Sequence, residues 1–212
     1  HFSYQDNETG QETFVGVPEQ GGRDLIAADP LPPGTLYAAS VSGDGTVGLY
    51  RLEVSVSGGT GKLKSAGGIS GEMKESIKRS FNNLKAYKTA FGIAREIDTS
   101  DVHVEAIDLL GNHVVAEVGV AFAVALVSAF KKAAPLPALL VLGDLSIQGN
   151  IKSVRSLTEP LQVAMDNGAR RVLKQIENKR SFFDVSADVL ENVDPIFYGE
   201  VRQAAFKALG LT

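Results

Sequence analysis

Chemistry needs nucleophiles, bases, metal ligands or phosphate cradles, and this 212-residue chain offers few of each. It has no cysteine, which excludes disulfides, thiolate nucleophiles and cysteine metal sites. Its three histidines, His1, His103 and His113, are too scattered to suggest a zinc cage. Gly58-Gly59-Thr60-Gly61-Lys62-Leu63 suggests a nucleotide loop. A phosphate loop, however, requires glycine five residues before the Gly-Lys pair and a hydroxyl after it. Val56 and Leu63 stand there instead, so a glycine-rich turn is the expectation. His103 and Glu105 lie two apart and share a strand face, which could orient a base, although a satisfied structural histidine is the commoner arrangement. A serine–lysine pairing at helical spacing exists at Ser128 with Lys131 or Lys132. Ser146 and Ser153 are further candidate nucleophiles. Lys131-Lys132, Arg170-Arg171 and Lys179-Arg180 read as separate dibasic points on a solvated surface.

Composition sets the frame for these groups. Lys plus Arg number 21 against 25 Asp plus Glu, a net charge of −4, which disfavours wrapping nucleic acid by bulk electrostatics. The longest unbroken apolar run, Val118 to Val127, is about half of what a bilayer requires, so no membrane association is expected. The first 30 residues are polar and glycine-rich, unlike a signal peptide, and a cytoplasmic location is expected. A start at His1 rather than methionine leads us to expect a piece of a longer protein.

The elements that must position any site follow from pattern. Residues 1–34 read as an arm and linker, with turn material at Asn7-Glu8-Thr9-Gly10 and Gln20-Gly21-Gly22, a stop at Pro30-Leu31-Pro32-Pro33-Gly34, and room for a short hairpin around Phe14 to Ile26. Leu36 to Val41 and Val47 to Val56 alternate as strands around a Ser42-Gly43-Asp44-Gly45 turn. Residues 71–93 predict a helix with Met73, Ile77, Phe81, Leu84, Tyr87 and Phe91 on one stripe, Ser70 as N-cap and Glu75 with Arg79 as an i,i+4 pair. Val102 to Ile107 predicts a strand. The alanine-rich Val118 to Lys132, apolar on every face, predicts a central helix. A buried strand at Ala138 to Leu142, a hairpin through Leu145, Gly149-Asn150 and Val154, a helix through Leu157 to Met165 closed by Gly168, a strand at Arg171 to Ile176 and a last helix at Glu200 to Leu209 complete an α+β domain over residues 35–212.

The order of several segments resembles the proteolytic domain of Lon proteases. The likeness is carried by Gly61-Lys62-Leu63-Lys64, Gly71-Glu72-Met73-Lys74-Glu75-Ser76, Asp101-Val102-His103-Val104, the Ala123 to Phe130 run, and Gly143-Asp144-Leu145-Ser146-Ile147-Gln148-Gly149. Glu177-Asn178 and the closing Glu200-Val201 segment correspond as well. The resemblance implies a ribosomal-S5-domain-2-like fold, hexameric rings and a fused AAA+ ATPase. It also implies a Ser–Lys dyad, the serine at the amino end of the buried helix and the lysine of depressed pKa. Carried over residue by residue, the serine position falls on Glu117 and the lysine position on Thr158, so neither functional group is present and no catalytic residue is expected. No Ser, Thr or Cys occurs between residues 101 and 127, and no Lys between Ser153 and Leu173. A carboxylate at Glu117 would satisfy helix-terminal amides where an oxyanion should form, and Thr158 would cap a helix.

Ala-Glu-Val-Gly-Val-Ala-Phe at 116–122, Gly-Asp-Leu-Ser-Ile-Gln-Gly-Asn at 143–150 and Val-Asp-Pro-Ile-Phe-Tyr-Gly at 193–199 resemble one subgroup, the Lon-like AAA+ proteins of BREX bacteriophage-exclusion systems. That likeness implies a non-catalytic assembly module within a homo-oligomeric ring. Within this chain no cofactor or metal is expected. ATP and Mg would bind the missing AAA+ portion, DNA would be reached through the parent protein, and other phage-defence components are possible partners. The alternatives are a peptidase with a displaced site built on Ser128, Ser146 or Ser153, and a domain whose own main job is to bind DNA.

Overall fold

In a computed structural model of the chain, the described residues are 2–5, 12–15, 25–67, 69, 71–114, 117–152, 154, 156–176 and 184–211. Strands β1 (Phe2–Gln5) and β2 (Glu12–Val15) form an antiparallel two-stranded sheet of their own. The strand ending at Val15 pairs with residues that precede it, and the hairpin expected around Phe14 to Ile26 falls largely outside the described residues. Residues 16–24 lie outside the described set, as do Ser70, Ser153, Glu177, Asn178, Lys179 and Arg180. The end of the segment read as a linker packs on the domain. Ile26 is buried and donates its amide to Asn167 O at 2.9 Å, and the Ala27 amide reaches the Tyr37 hydroxyl at 2.9 Å.

The strands β3 (Thr35–Val41), β4 (Val47–Gly58), β5 (Leu63–Ser65), β6 (Ser100–Asp108), β7 (Leu139–Val141), β10 (Arg171–Gln175) and β11 (Asp194–Tyr198) make one mixed sheet. Their order is β11-β10-β7-β3-β4-β6-β5. β3 with β4 and β4 with β6 are antiparallel; the remaining four pairings are parallel. β8 (Asp144–Leu145) and β9 (Ile151–Lys152) form a separate hairpin beside the sheet. Pro195, which has no ladder donor, sits on β11, an edge strand where that lack is tolerated.

Alternation along the strands divides the core in two. Leu36 and Ala38 point to one side with helices α1 (Gly71–Ala86), α4 (Gly119–Lys131) and α7 (Val201–Ala208), whereas Tyr37 and Ala39 point to the other with α5 (Thr158–Asp166) and α6 (Ala187–Asn192). In α4 every residue from Gly119 to Ser128 is buried, as expected of a helix apolar on all faces. Among the described residues no helix is long and apolar enough to cross a membrane.

The helix read over 71–93 is broken. α1 stops at Ala86, and two short helices follow, α2 (Lys88–Phe91) and α3 (Ala94–Thr99). Gly92, left-handed at φ 68°, donates to the carbonyls of Lys88 and Thr89 and turns the chain so that Ile93 and Ile97 enter the core. The break resets the helical phase, so Tyr87 leaves the stripe and is 55% exposed, while Phe91 is buried from α2.

Candidate functional site

The site lies where α1, the start of α4 and the β8–β9 hairpin meet. Asp144, whose side chain is 4% exposed, is at its centre. One carboxylate oxygen accepts from the Ser76 hydroxyl at 2.6 Å and from the Gly119 amide at 3.2 Å. The other meets Arg79 Nη2 at 2.8 Å and Lys152 Nζ at 3.1 Å. Lys152 faces Asp144 because the two are register partners in the hairpin. Its ammonium also lies 3.1 Å from Glu117 Oε1, with Arg79 Nη2 3.6 Å from that same oxygen. Ser76 Oγ accepts the Val118 amide at 3.0 Å, and Ser80 Oγ donates to Gly119 O at 2.7 Å. Gly119 is required by this closeness: a Cβ there would sit 2.4 Å from Asp144 Oδ1.

Two cations thus meet two carboxylates at the start of a buried helix. Burial raises the Asp144 pKa, but bonds from Ser76, the Leu145 amide, Lys152 and Arg79 outweigh it and hold the carboxyl below its ordinary value. Burial likewise opposes charge on Lys152, yet its bonds to Glu117 and Asp144 prevail and raise its pKa. The cluster fronts a cleft of about 720 Å³ lined by Ser40, Val41, Asp44, His113, Glu117 and Lys152 among others.

Several expectations change here. Glu117 does not cap the helix; Ser76 and Asp144 take the Val118 and Gly119 amides, leaving the Glu117 carboxylate, 43% exposed, to the two cations. Thr158 is the exposed first residue of α5 rather than its cap: Leu157 holds the N-cap position, and no side chain caps the helix there. Arg79 pairs with Asp144 rather than with Glu75, since a buried carboxylate attracts it more strongly than one screened by water. His103 is exposed, not a core histidine, with its Nε2 3.5 Å from Ser57 Oγ; Glu105 is exposed beside it.

Lys152 is the residue that sequence reasoning missed, one position before the lysine-free stretch that begins at Ser153. The only signal was its cross-strand position opposite Asp144 in a hairpin whose turn was legible.

Of the displaced-nucleophile candidates, Ser153 lies outside the described residues, and Ser128 and Ser146 are otherwise engaged. Ser128 is buried, donates to Ala133 O at 2.6 Å and accepts the Gly34 amide at 2.9 Å. Lys131 instead lies over the Phe206 ring at 5.6 Å. Ser146 Oγ accepts the Asn150 amide at 3.1 Å. Ser128→Ala removes a partner from two backbone groups at once, so we expect a loss of about 2 kcal/mol, read from the urea midpoint.

The glycine-rich turn binds an anion of its own. The Thr60 and Lys62 amides both donate to Asp101 Oδ1, at 2.9 and 3.1 Å. Those two bonds, with help from Lys64, lower the Asp101 pKa to about 2. A depressed folded pKa adds stability that is present above the ordinary carboxylate value and is lost as pH falls toward 2. Carboxyl carbon NMR should place the Asp101 midpoint near 2, and a midpoint near 4 would contradict the two amide bonds.

Residues 36–210 match the profile of the Lon protease (S16) C-terminal proteolytic domain. Over all 212 residues the chain is 32% identical to the Lon-like protease BrxL of Escherichia coli O9:H4 (strain HS), covering 30% of that protein, and 34% identical to the Lon-like protease BrxL of Bacillus cereus (strain H3081.97), covering 31% of it. It is 25% identical over 146 residues, 68% of the chain, to the Lon protease of Buchnera aphidicola subsp. Schizaphis graminum (strain Sg), covering 19% of that protein. The chain spans less than a third of the length of these relatives.

Proposed function

Because the chain belongs to the Lon protease (S16) C-terminal proteolytic-domain family, we propose that it is the non-catalytic Lon-like module of a longer AAA+ protein of the BREX type, holding ring subunits together rather than cleaving peptides. ATP and Mg belong, on this reading, to the part of the protein that precedes the chain. That part also brings the ring to DNA, in the cytoplasm, alongside other phage-defence components.

The observation that supports the reading best is the Glu117–Lys152 ion pair at the start of α4. A Ser–Lys dyad needs a hydroxyl and an amine that is neutral long enough to take its proton. Glu117 stands at the position the family resemblance gives to the serine, and the nearest amine has a raised pKa that keeps it protonated. The amides that could hold an oxyanion already serve Ser76 and Asp144.

The test uses the longer protein with ATP, Mg, casein and a fluorogenic peptide. We expect no ATP-dependent cleavage, and loss of the ring in sedimentation when residues 35–212 are deleted. Cleavage abolished by Ser128→Ala or Ser146→Ala would instead establish a peptidase with a displaced site.

A further inference from the structure

Charge is unevenly spread along this acidic chain. From Lys62 to Lys88, through β5, α1 and α2, there are seven cations (Lys62, Lys64, Lys74, Lys78, Arg79, Lys85, Lys88) and two carboxylates, Glu72 and Glu75. The rest of the chain has 14 cations and 23 carboxylates.

The fold gathers most of these cations at one edge of the sheet. Lys74, Lys78 and Lys85 follow one another at i, i+4 and i+11, within about 40° of arc on α1 at 3.6 residues per turn. Lys74 and Lys78 stand about 6 Å apart, and Lys85 lies about 16 Å along the helix from Lys74. Beside this row runs β5, the last strand of the sheet. Leu63 packs toward the α1 side, so Lys62 and Lys64 flank it on the outward face. The two rows meet where Lys85 Nζ donates to Gly61 O at 2.7 Å, next to Lys62.

Lys64 is paired with Asp101 at 3.3 Å, Lys88 with Asp98, and Arg79 is turned into the cleft. Among the described residues Lys62, Lys74 and Lys78 have no carboxylate within ion-pair distance and are exposed. Unpaired ammonium groups along an edge of an otherwise acidic body repel one another unless an external anion joins them. The acidic remainder would also turn a polyanion toward this edge. The row carries lysines rather than bidentate arginines, and Phe81 between them is buried, so it fits phosphates and not bases.

We propose that the β5–α1 edge is a nucleic-acid contact surface that grips the duplex phosphate backbone without reading sequence. This deepens the DNA-associated part of the reading above by assigning contacts to the Lon-like module itself.

The test is fluorescence anisotropy of two labelled DNA duplexes of unrelated sequence, titrated with the 212-residue chain at 50 to 200 mM KCl. With about three phosphates neutralised, the salt slope should be near −2.7, about forty-fold weaker binding across that range. The variant Lys62→Glu, Lys74→Glu, Lys78→Glu should weaken binding at 50 mM at least tenfold and flatten the slope. The variant Lys132→Glu, Arg170→Glu, Arg202→Glu, with the same net charge and exposed residues elsewhere, should change it less than threefold. Circular dichroism confirms that both variants are folded. No binding at 50 mM, equal loss in both variants, preference for one duplex, or displacement by polyglutamate at matched charge overturns the proposal. The first two outcomes leave the peptidase and sedimentation results untouched, so failure here is distinguishable from failure of the non-catalytic assembly reading.

Discussion

Asp144→Ala should lower unfolding free energy by about 3 kcal/mol, near the lower bound for removing one member of a buried ion pair, because the cations it leaves are partly solvated and retain Glu117. The loss has two sources. Arg79 and Lys152 keep their charge with one carboxylate fewer, and the buried Ser76 hydroxyl and Gly119 amide lose their acceptor. Asp144→Asn separates the two, since an amide oxygen can still serve Ser76 and Gly119 while its NH₂ faces two cations. We expect Asn to recover less than half of the loss. The same carboxyl makes stability fall in acid. Its folded pKa is depressed, so its contribution is complete above the ordinary value of 3.8 and disappears as pH drops through the lowered one. Urea unfolding at pH 7 and pH 3 measures both effects. A change below 1 kcal/mol for Asp144→Ala at pH 7 would mean that the cluster is a solvated surface network.

Gly34→Ala is the second large effect, about 3 kcal/mol or more, and a matched control isolates its cause. Gly34 and Gly45 both have φ of 87°, a left-handed conformation that costs an L side chain about 1–2 kcal/mol. A Cβ at Gly45 meets nothing within 4 Å, whereas at Gly34 it would lie 2.3 Å from the backbone oxygen of Val54. Relief would require moving the strand that donates the Val54 amide to Gly34 O at 2.8 Å, and with it the Gly34 bond to Ser128. Gly45→Ala should therefore cost only the conformational part. Thermal midpoints of the two variants decide the matter, and equal midpoints would remove the steric explanation.

How much of this was legible in the sequence depended on distance along the chain. The Ser42 to Gly45 turn and the all-apolar α4 were readable because their causes are local, in turn chemistry and in composition. The end of α1 was not: its periodicity continues through Tyr87 in sequence, and the stop depends on where Ile93 and Ile97 must be buried. Short elements such as β5 and α6 have too few residues to show a period. Glu117 came to notice through family resemblance. Its partners came from topology, since Arg79, Glu117, Asp144 and Lys152 lie on separate elements and meet only once α1, α4 and the β8–β9 hairpin pack. Local pairing rules even favoured Glu75 for Arg79, and a buried carboxylate 65 residues away prevails.

The place of β3 in the sheet governs how the molecule must be made. β3 joins β4 across a tight turn, but its other neighbour, β7, begins a hundred residues later, at Leu139. While the ribosome is still short of that point, a nascent chain can close the β3-β4-β6-β5 half only, and one side of β3 stands open with unpaired amides and carbonyls. Loop closure over such a span slows folding, and an uncovered strand margin of this kind is a template for aggregation. Synthesis at reduced temperature or with holdase chaperones should accordingly raise the soluble yield.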